Sequence, residues 1–318
     1  MFGQDINQVD EEGRKHGLWI EKYENGQKMY EGTFKAGKPI GVFHNYDEEG
    51  NKRSSIKYSE KDTVGVTFFH MNGKKQGTGN YLNKKKEGTW VFFDQKGKMI
   101  SKEHYIKGVK EGVSYLFYDK GNIAQVDTFV TGKKDGLQTR YFTDGKKKSE
   151  ILFDHDQYHG KYIEYFPNGG FKVIGKYFEG KADGSWVNYH EDGEVHFKEE
   201  YSLGKRVSMQ KMNGEFKEYF EDNNDILKEV VVYKNGMKNG PFIEYYKAGE
   251  WKYKTVSYDP ITEPGRPDEQ VRYFDGEKIK RKGVYQNDKL HGDVRYYKES
   301  GEIEKIEKYE NGVLKETE

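Results

Sequence analysis

The chain has 318 residues, with 54 Lys and Arg against 54 Asp and Glu, so its formal net charge is zero and bulk charge steers it toward neither nucleic acid nor an anionic membrane. Only 33% of residues are hydrophobic and the mean hydropathy is -1.08, values that suit disorder, but 26 Tyr, 19 Phe and 4 Trp do not, so structure must be built from aromatics. The absence of cysteine excludes disulfides, thiolate metal sites and cysteine nucleophiles, and no apolar run nears the roughly 20 residues of a membrane-spanning helix.

Residues 1–9 read as a leader. Met1-Phe2-Gly3-Gln4-Asp5 is similar to the end of a signal peptide of exported Bacteroidetes proteins, with Gln4 as the mature start. Export to the periplasm or outer membrane is expected, and a cytoplasmic protein with a short leader is the alternative.

From Asp10 onward the sequence is periodic. Gly17, Gly41, Gly65, Gly88, Gly112, Gly136, Gly160 and Gly184 follow one another at intervals of 23 or 24 residues, and Gly214, Gly240 and Gly292 continue more loosely. A second glycine column stands nine residues on (Gly26, Gly50, Gly97, Gly121, Gly145) and a third twenty residues on (Gly37, Gly108, Gly132, Gly180). An aromatic stands seventeen residues after the leading glycine, as at Phe34, Tyr58, Tyr105 and Phe129.

Each unit reads as a β-hairpin. In the first, Leu18–Tyr23 and Lys28–Phe34 are strands rich in aromatic and β-branched residues, joined at Asn25-Gly26, a dipeptide suited to a type I′ turn. Lys35-Ala36-Gly37-Lys38 then turns the chain into the next unit. His16, His159 and His291 precede leading glycines and read as members of a turn column. Alternation places Trp19, Phe43, Trp90, Tyr162, Trp186, Phe216 and Phe242 on one face and Ile163, Tyr165, Val187 and Tyr189 on the other.

About twelve such units are counted, the third, ninth and eleventh being irregular. The fold class expected is all-β: an elongated repeat protein with a single antiparallel β-meander of ~24-residue hairpins, twisted or curved as long open sheets are. A six-bladed propeller would need a 48-residue alternation that the columns do not show. Repeats fill residues 10–258 and 269–318, and 259–268 is a proline-rich insertion, Asp259-Pro260-Ile261-Thr262-Glu263-Pro264-Gly265-Arg266-Pro267-Asp268.

Motifs that carry chemistry fail on inspection. Gly170–Tyr177 nearly matches a phosphate-binding loop, but Tyr177 replaces the magnesium-binding hydroxyl and no helix follows. Gly77-Thr78-Gly79 lacks the strand and helix of a dinucleotide site. His155 and His159 have metal-ligand spacing only on a helix, and here they span an inter-hairpin turn; His190 and His196 could converge across a hairpin. Lys84–Lys86 and Lys146–Lys148 sit at turns, where they keep sheet edges soluble. No catalytic residue, cofactor or metal site is expected, and no nucleic-acid partner.

The pattern Gly-x-[Trp/Phe/Tyr]-x-x-[Tyr/Phe]-x-x-x-Gly, followed by Tyr or Phe and Gly-Lys, resembles the bacterial variant of the MORN (membrane occupation and recognition nexus) repeat. Asp183-Gly184-Ser185-Trp186-Val187-Asn188-Tyr189-His190-Glu191-Asp192-Gly193 fits closely, and the resemblance covers nearly the whole chain. It is similar to chains grouped as antitoxin-like proteins of the YwqK type. The resemblance implies an elongated β-meander that serves as a scaffold binding proteins or lipids. The antitoxin label implies a toxin partner, which the residues themselves do not support.

The function expected is a non-enzymatic scaffold that binds a protein partner in a bacterial envelope assembly, with membrane contact only peripheral or through that partner. The alternative is a glycan- or membrane-surface module using exposed aromatic ladders, or an antitoxin-like component. Because a repetitive surface defines register poorly, recognition is expected where the repeat breaks: Trp251, Tyr253, Pro260, Glu263, Pro264, Arg266 and Pro267, which include the Trp and Arg types common in binding hot spots.

Overall fold

The computed structural model describes residues 6–59, 63–221, 223–247, 250–256, 269–275 and 277–318. All regular structure among them is β-strand, and every pairing is antiparallel. The chain divides into two units, the first Met1–Gly184 with Tyr201–Lys205, the second Ser185–Glu200 with Arg206–Glu318.

In the first unit the ladder runs unbroken from Gln8–Val9 to Lys181–Ala182, each strand pairing with its neighbour in sequence. Short turns dictate this order, and the ladder does not break into four-stranded blades. In the second unit Gly214–Phe220, Asn223–Lys234, Met237–Tyr245, Ile279–Gln286, Lys289–Tyr297, Ile303–Glu310 and Val313–Thr317 form an open seven-stranded sheet. Met237–Tyr245 pairs directly with Ile279–Gln286, while Glu250–Val256 and Glu269–Asp275 pair with each other in a separate two-stranded ladder.

The leading glycine is not at a turn; it lies inside a strand. Strand Lys85–Phe93 passes through Gly88, which has φ 68°. On the following side Gly88 pairs in step with Tyr105, but on the preceding side the register jumps from Asn80↔Glu87 to Thr78↔Val91. Gly79 alone thus faces Gly88, Thr89 and Trp90, a bulge whose left-handed residue must be glycine and which bends one strand while leaving the next ladder intact. His16, His159 and His291 therefore belong to a strand column beside the bulge, a correction to their reading as turn residues.

The Asn-Gly turns are not the type I′ turns of the sequence reading. At Asn25-Gly26 only the glycine has positive φ (85°); Gly26 N–H donates to Tyr23 O (2.9 Å) and Tyr23 N–H to Gln27 O (2.8 Å). This is a three-residue loop with a glycine bulge rather than a type I′ turn. The type I′ turns are the others: Ala36 and Gly37 have φ 49° and 75°, and Lys107-Gly108, Thr131-Gly132, His155-Asp156 and Asn287-Asp288 also have both residues at positive φ. Each such turn docks on the preceding repeat, with Gly37 N–H to Lys15 O at 2.9 Å, Gly108 N–H to Lys86 O at 2.8 Å and Gly132 N–H to Lys110 O at 2.9 Å. At the opposite edge Tyr23 Oη donates to Tyr46 O (2.8 Å) and Tyr118 Oη to Tyr141 O (2.6 Å), so both rows of turns are tied from repeat to repeat.

The core is the face that carries the second residue after the leading glycine. Phe43, Trp90, Trp186, Phe216, Phe242 and Val294 are all buried there. Their rings meet the aromatic column edge to face: Phe43 lies 5.1 Å from Phe34 and 5.2 Å from Tyr58, and Trp90 lies 5.1 Å from Tyr81. One such contact adds roughly 0.5–1.5 kcal/mol beyond the area it buries.

Candidate interaction surface

Over the aromatic face runs a column of lysines placed two residues before the leading glycine. Lys15 Nζ stands 4.2 Å from the Trp19 ring, and Lys86 Nζ stands 4.7, 4.8 and 4.7 Å from Trp90, Phe92 and Tyr105. Lys110 lies over Phe129 and Lys134 over Phe153. The lysine stems cover the rings, and two of the charges meet carboxylates: Lys110 Nζ is 3.0 Å from Glu103, and Lys134 Nζ is 3.0 Å from Asp127. Tyr105 Oη also donates to Glu103 (2.6 Å), and its pKa is raised by burial and by that bond.

Two adjacent repeats replace the core ring by buried polar residues, a feature the sequence reading missed. Ser114 and Gln138 hold the second position after Gly112 and Gly136, and both are buried together with Asp127, which pairs with Ser114 across the ladder. Gln138 Nε2 donates to Asp127 Oδ1 at 2.5 Å, and Gln125 Nε2 donates to Oδ2 at 2.7 Å. Burial pushes the Asp127 pKa up, but hydrogen bonds from Gln138, Gln125 and Lys134 outweigh it, so the carboxyl titrates below its ordinary value. The signal available in the sequence was the departure of Ser114 and Gln138 from a column otherwise rich in rings.

A concavity of about 570 Å³ opens on the aromatic face at the irregular third repeat, between Ile56, Tyr58, Val64, Val66, Phe68 and Tyr81. A second, about 420 Å³, lies beside Phe92 and Tyr105 with Lys86, Lys110 and Glu103 in its wall.

The other face of the first unit carries a row of solvent-exposed aliphatics. Val113 (44% exposed) pairs across the ladder with Thr128, and Leu137 (43%) pairs with Leu152 (38%). Thr128 Oγ1 donates to Leu137 O at 3.3 Å and links the two pairs. Val113, Thr128, Leu137 and Leu152 thus form one stripe over successive strands, and Glu150, Lys161 and Ile163 line the shallow hollow beside it.

Of the residues proposed from sequence, Trp251 and Tyr253 fall in strand Glu250–Val256, opposite Phe274 and Arg272 in register, and their side chains lie outside the described residues. Pro260, Glu263, Pro264, Arg266 and Pro267 lie wholly outside them. His155 and His159 do not converge: His155 sits in a type I′ turn against Asp154, with Asp135 Oδ2 3.7 Å from its Nδ1, while His159 packs on Phe178 at 5.3 Å. Ligand-capable atoms of Asp135, Asp154 and His155 all lie within 4.8 Å of one another. His190 and His196 do converge, their ring centroids 4.1 Å apart, with Phe216 4.8 Å from His196 and with Asn213 O 2.9 Å from His190 Nε2. Burial, and then the neighbouring His190, lower the His196 pKa.

The MORN repeat variant model matches residues 15–36, 86–107, 134–155 and 290–311. Each match begins two residues before a leading glycine and ends on the first residue of the next type I′ turn, at Ala36, Lys107, His155 and Asn311. The chain is a MORN-repeat protein. MORN repeats are associated with protein or membrane interactions. No curated protein matches this MORN-repeat chain.

Among solved structures, it is similar to TcdB2-TccC3 at 14% identity and TM-score 0.19, over 92% of this chain and 16% of that one. It is similar to the Photorhabdus luminescens Tc holotoxin pore at 12% identity and TM-score 0.16, over 92% of this chain and 17% of that one. A porin-like protein from Bacteroides uniformis is similar at 11% identity and TM-score 0.19, over 80% of this chain and 94% of that one. The chain thus spans about a sixth of the TcdB2-TccC3 chain, and likenesses this distant carry no function across.

Proposed function

We propose that the protein is a non-enzymatic MORN-repeat scaffold that holds a protein partner against the aliphatic face of its first unit, within a bacterial envelope assembly. One observation carries this reading: Val113, Leu137 and Leu152 are exposed, the two leucines pair in register and Val113 adjoins them through its pairing with Thr128, in a chain that is only 33% hydrophobic. Isolated exposed aliphatics need no explanation, but a joined row rimmed by polar residues marks an interaction site. A glycan platform made of the core ladder is not favoured, because Phe43, Trp90, Trp186, Phe216 and Phe242 are buried.

A photo-crosslinking amino acid placed at Val113 or at Leu137 in the native host tests the interface. A discrete protein adduct is expected from both positions, lost with Leu152→Glu and absent from a control at Lys146. Adducts confined to positions in 259–268 would move recognition to the insertion. Fractionation of the native host tests the envelope assignment, which fails if the protein stays in the cytosol.

A further inference from the structure

Of the four lysines named in the column, Lys110 and Lys134 each meet an acid, Lys15 instead donates to Tyr30 Oη at 2.8 Å, and Lys86 has neither kind of partner among the described residues. Lys110 pairs in register with Tyr105 and meets Glu103, two residues before that tyrosine; Lys134 pairs with Phe129 and meets Asp127, two residues before that phenylalanine. Lys86 pairs in register with Tyr81, and the residue two before Tyr81 is Gly79. Glycine is needed there because a Cβ on it would fall 2.3 Å from Trp90 Cδ2. The steric demand of the Trp90 indole thus removes the carboxylate that the column supplies in the next two repeats.

Among the described residues no carboxylate lies within ion-pair distance of Lys86 Nζ, and Glu103 is already held by Lys110 and Tyr105. Burial depresses the Lys86 pKa, Glu103 opposes that and Lys110 adds to it. Lys86 lines the concavity of about 420 Å³ together with Phe92 and Tyr105, whose rings lie 4.8 and 4.7 Å from its Nζ. The groups that define its charge are Lys86, Lys110 and Glu103, with His70 fixed beside them by Phe93 O at 2.9 Å. Two cations against one carboxylate leave a positive excess next to apolar ring faces.

We propose that this trough is a binding site for a carboxylate side chain of a protein segment, whose acid pairs with Lys86 and whose aliphatic stem lies on Phe92 and Tyr105. The occupant is an acidic peptide because the site lacks one carboxylate, in a column where the protein's own Glu103 and Asp127 fill that role. It stands on the aromatic face, apart from the aliphatic row, so either can fail without the other.

The test uses the full chain and a fluorescent peptide of alternating Glu and Gly, its Gln counterpart, and an oligogalacturonate of similar length. The parent binds the Glu peptide at least about tenfold more tightly than the Gln peptide, roughly 1.4 kcal/mol. Lys86→Met removes that preference, whereas Lys57→Met, an equal loss of charge on the opposite face, keeps it. Lys86→Met also leaves the melting temperature equal or raises it, since it removes a partly buried cation that lacks a carboxylate and keeps the stem. In the parent, the Lys86 13Cε resonance shifts with the Glu peptide and not with the Gln peptide, a readout independent of any variant. Equal loss in both Met variants, absence of a Glu-over-Gln preference, tighter binding of the uronate, or a lowered melting temperature in Lys86→Met would each overturn the assignment.

Discussion

Gly79 lies directly beneath the indole of Trp90, so close that a Cβ added to it would sit 2.3 Å from Cδ2 and 2.4 Å from Cε2. Trp90 is fully buried as a result. The same arrangement recurs at Gly32, where a Cβ would meet the Phe43 ring at 2.4 Å. In a sheet with few aliphatics, a ring laid on bare backbone does the work of a thicker core.

Gly79→Ala should therefore destabilise the protein by about 1–3 kcal/mol, the usual cost of overpacking, because backbone on one side and a buried indole on the other leave nothing to give way. Gly65→Ala is the control: its Cβ would meet only Asn80 Oδ1 at 3.4 Å and Lys57 at 3.8 Å or beyond, at ordinary φ. Urea denaturation followed by tryptophan emission should separate the two. Equal stabilities would mean that the indole moves freely.

Thr131 holds φ 50° in the first position of a type I′ turn, a conformation that a β-branched residue adopts at a cost. Asparagine occupies the same position at 83, 235, 287 and 311. Thr131→Asn should stabilise the protein by about 1 kcal/mol, as relief of a left-handed penalty. The bond from Thr131 N–H to the Glu111 carboxylate Oε2 (2.7 Å) uses only the backbone of residue 131 and survives the change. A denaturation midpoint at or below the parent value would count against strain at this turn.

In the second unit Glu307 is buried opposite Val294 and accepts from Lys305 Nζ (2.7 Å) and Tyr309 Oη (2.8 Å). Those bonds, led by Lys305, hold its pKa down at about 2 against an ordinary 4.5. A depressed carboxyl contributes stability that is full above the unfolded pKa and is lost as pH falls through the folded one. Parent and Glu307→Gln should differ most above pH about 5, and the difference should shrink between pH 4.5 and about 2. Denaturant midpoints measured across that range check it; a gap that stays constant down to pH 2 would show that the carboxylate charge is not what is being lost.

Strand existence and, in the first unit, neighbour pairing were legible in the sequence, because a fixed period and short turns leave one solution; the direct pairing of Met237–Tyr245 with Ile279–Gln286 and the choice of core face were not. Turn type was not either. Asn25-Gly26 is compatible with both a two-residue I′ turn and a three-residue loop, and what decides is the register that lets Tyr23 N–H reach Gln27 O and Tyr23 Oη reach Tyr46 O in the next repeat. The bulge at Gly88 is hidden for a similar reason: it exists to place Trp90 over Gly79, a contact between strands that a single column does not display. The acidic node at Asp127 could have been found from Ser114 and Gln138, had two adjacent exceptions to the ring column been taken together.

The break in repetition near residue 250 has a simple topological form that can be tested by excision. In the first repeat Tyr23 N–H bonds to Gln27 O across the loop Glu24–Gly26; in the second unit Tyr246 N–H bonds to Lys278 O at 2.9 Å, and Tyr246 Oη reaches Tyr297 O at 2.7 Å as Tyr23 Oη reaches Tyr46 O. The flanking strands already pair directly, from Gly240↔Tyr285 to Tyr245↔Ile279. Residues 247–277 therefore stand where three residues stand in the first repeat, and among the described residues the ladder Glu250–Val256 with Glu269–Asp275 is separate from the seven-stranded sheet. Replacing 247–277 by Glu-Asn-Gly should leave the second unit folded, with its unfolding free energy within about 0.5 kcal/mol of the parent. Amide hydrogen exchange on Met237–Tyr245 and Ile279–Gln286 reads the outcome. Loss of protection on those two strands would show that the inserted segment supports the sheet, whereas retained protection with loss of the photo-crosslinked partner would place recognition on the insertion and not on the Val113–Leu152 row.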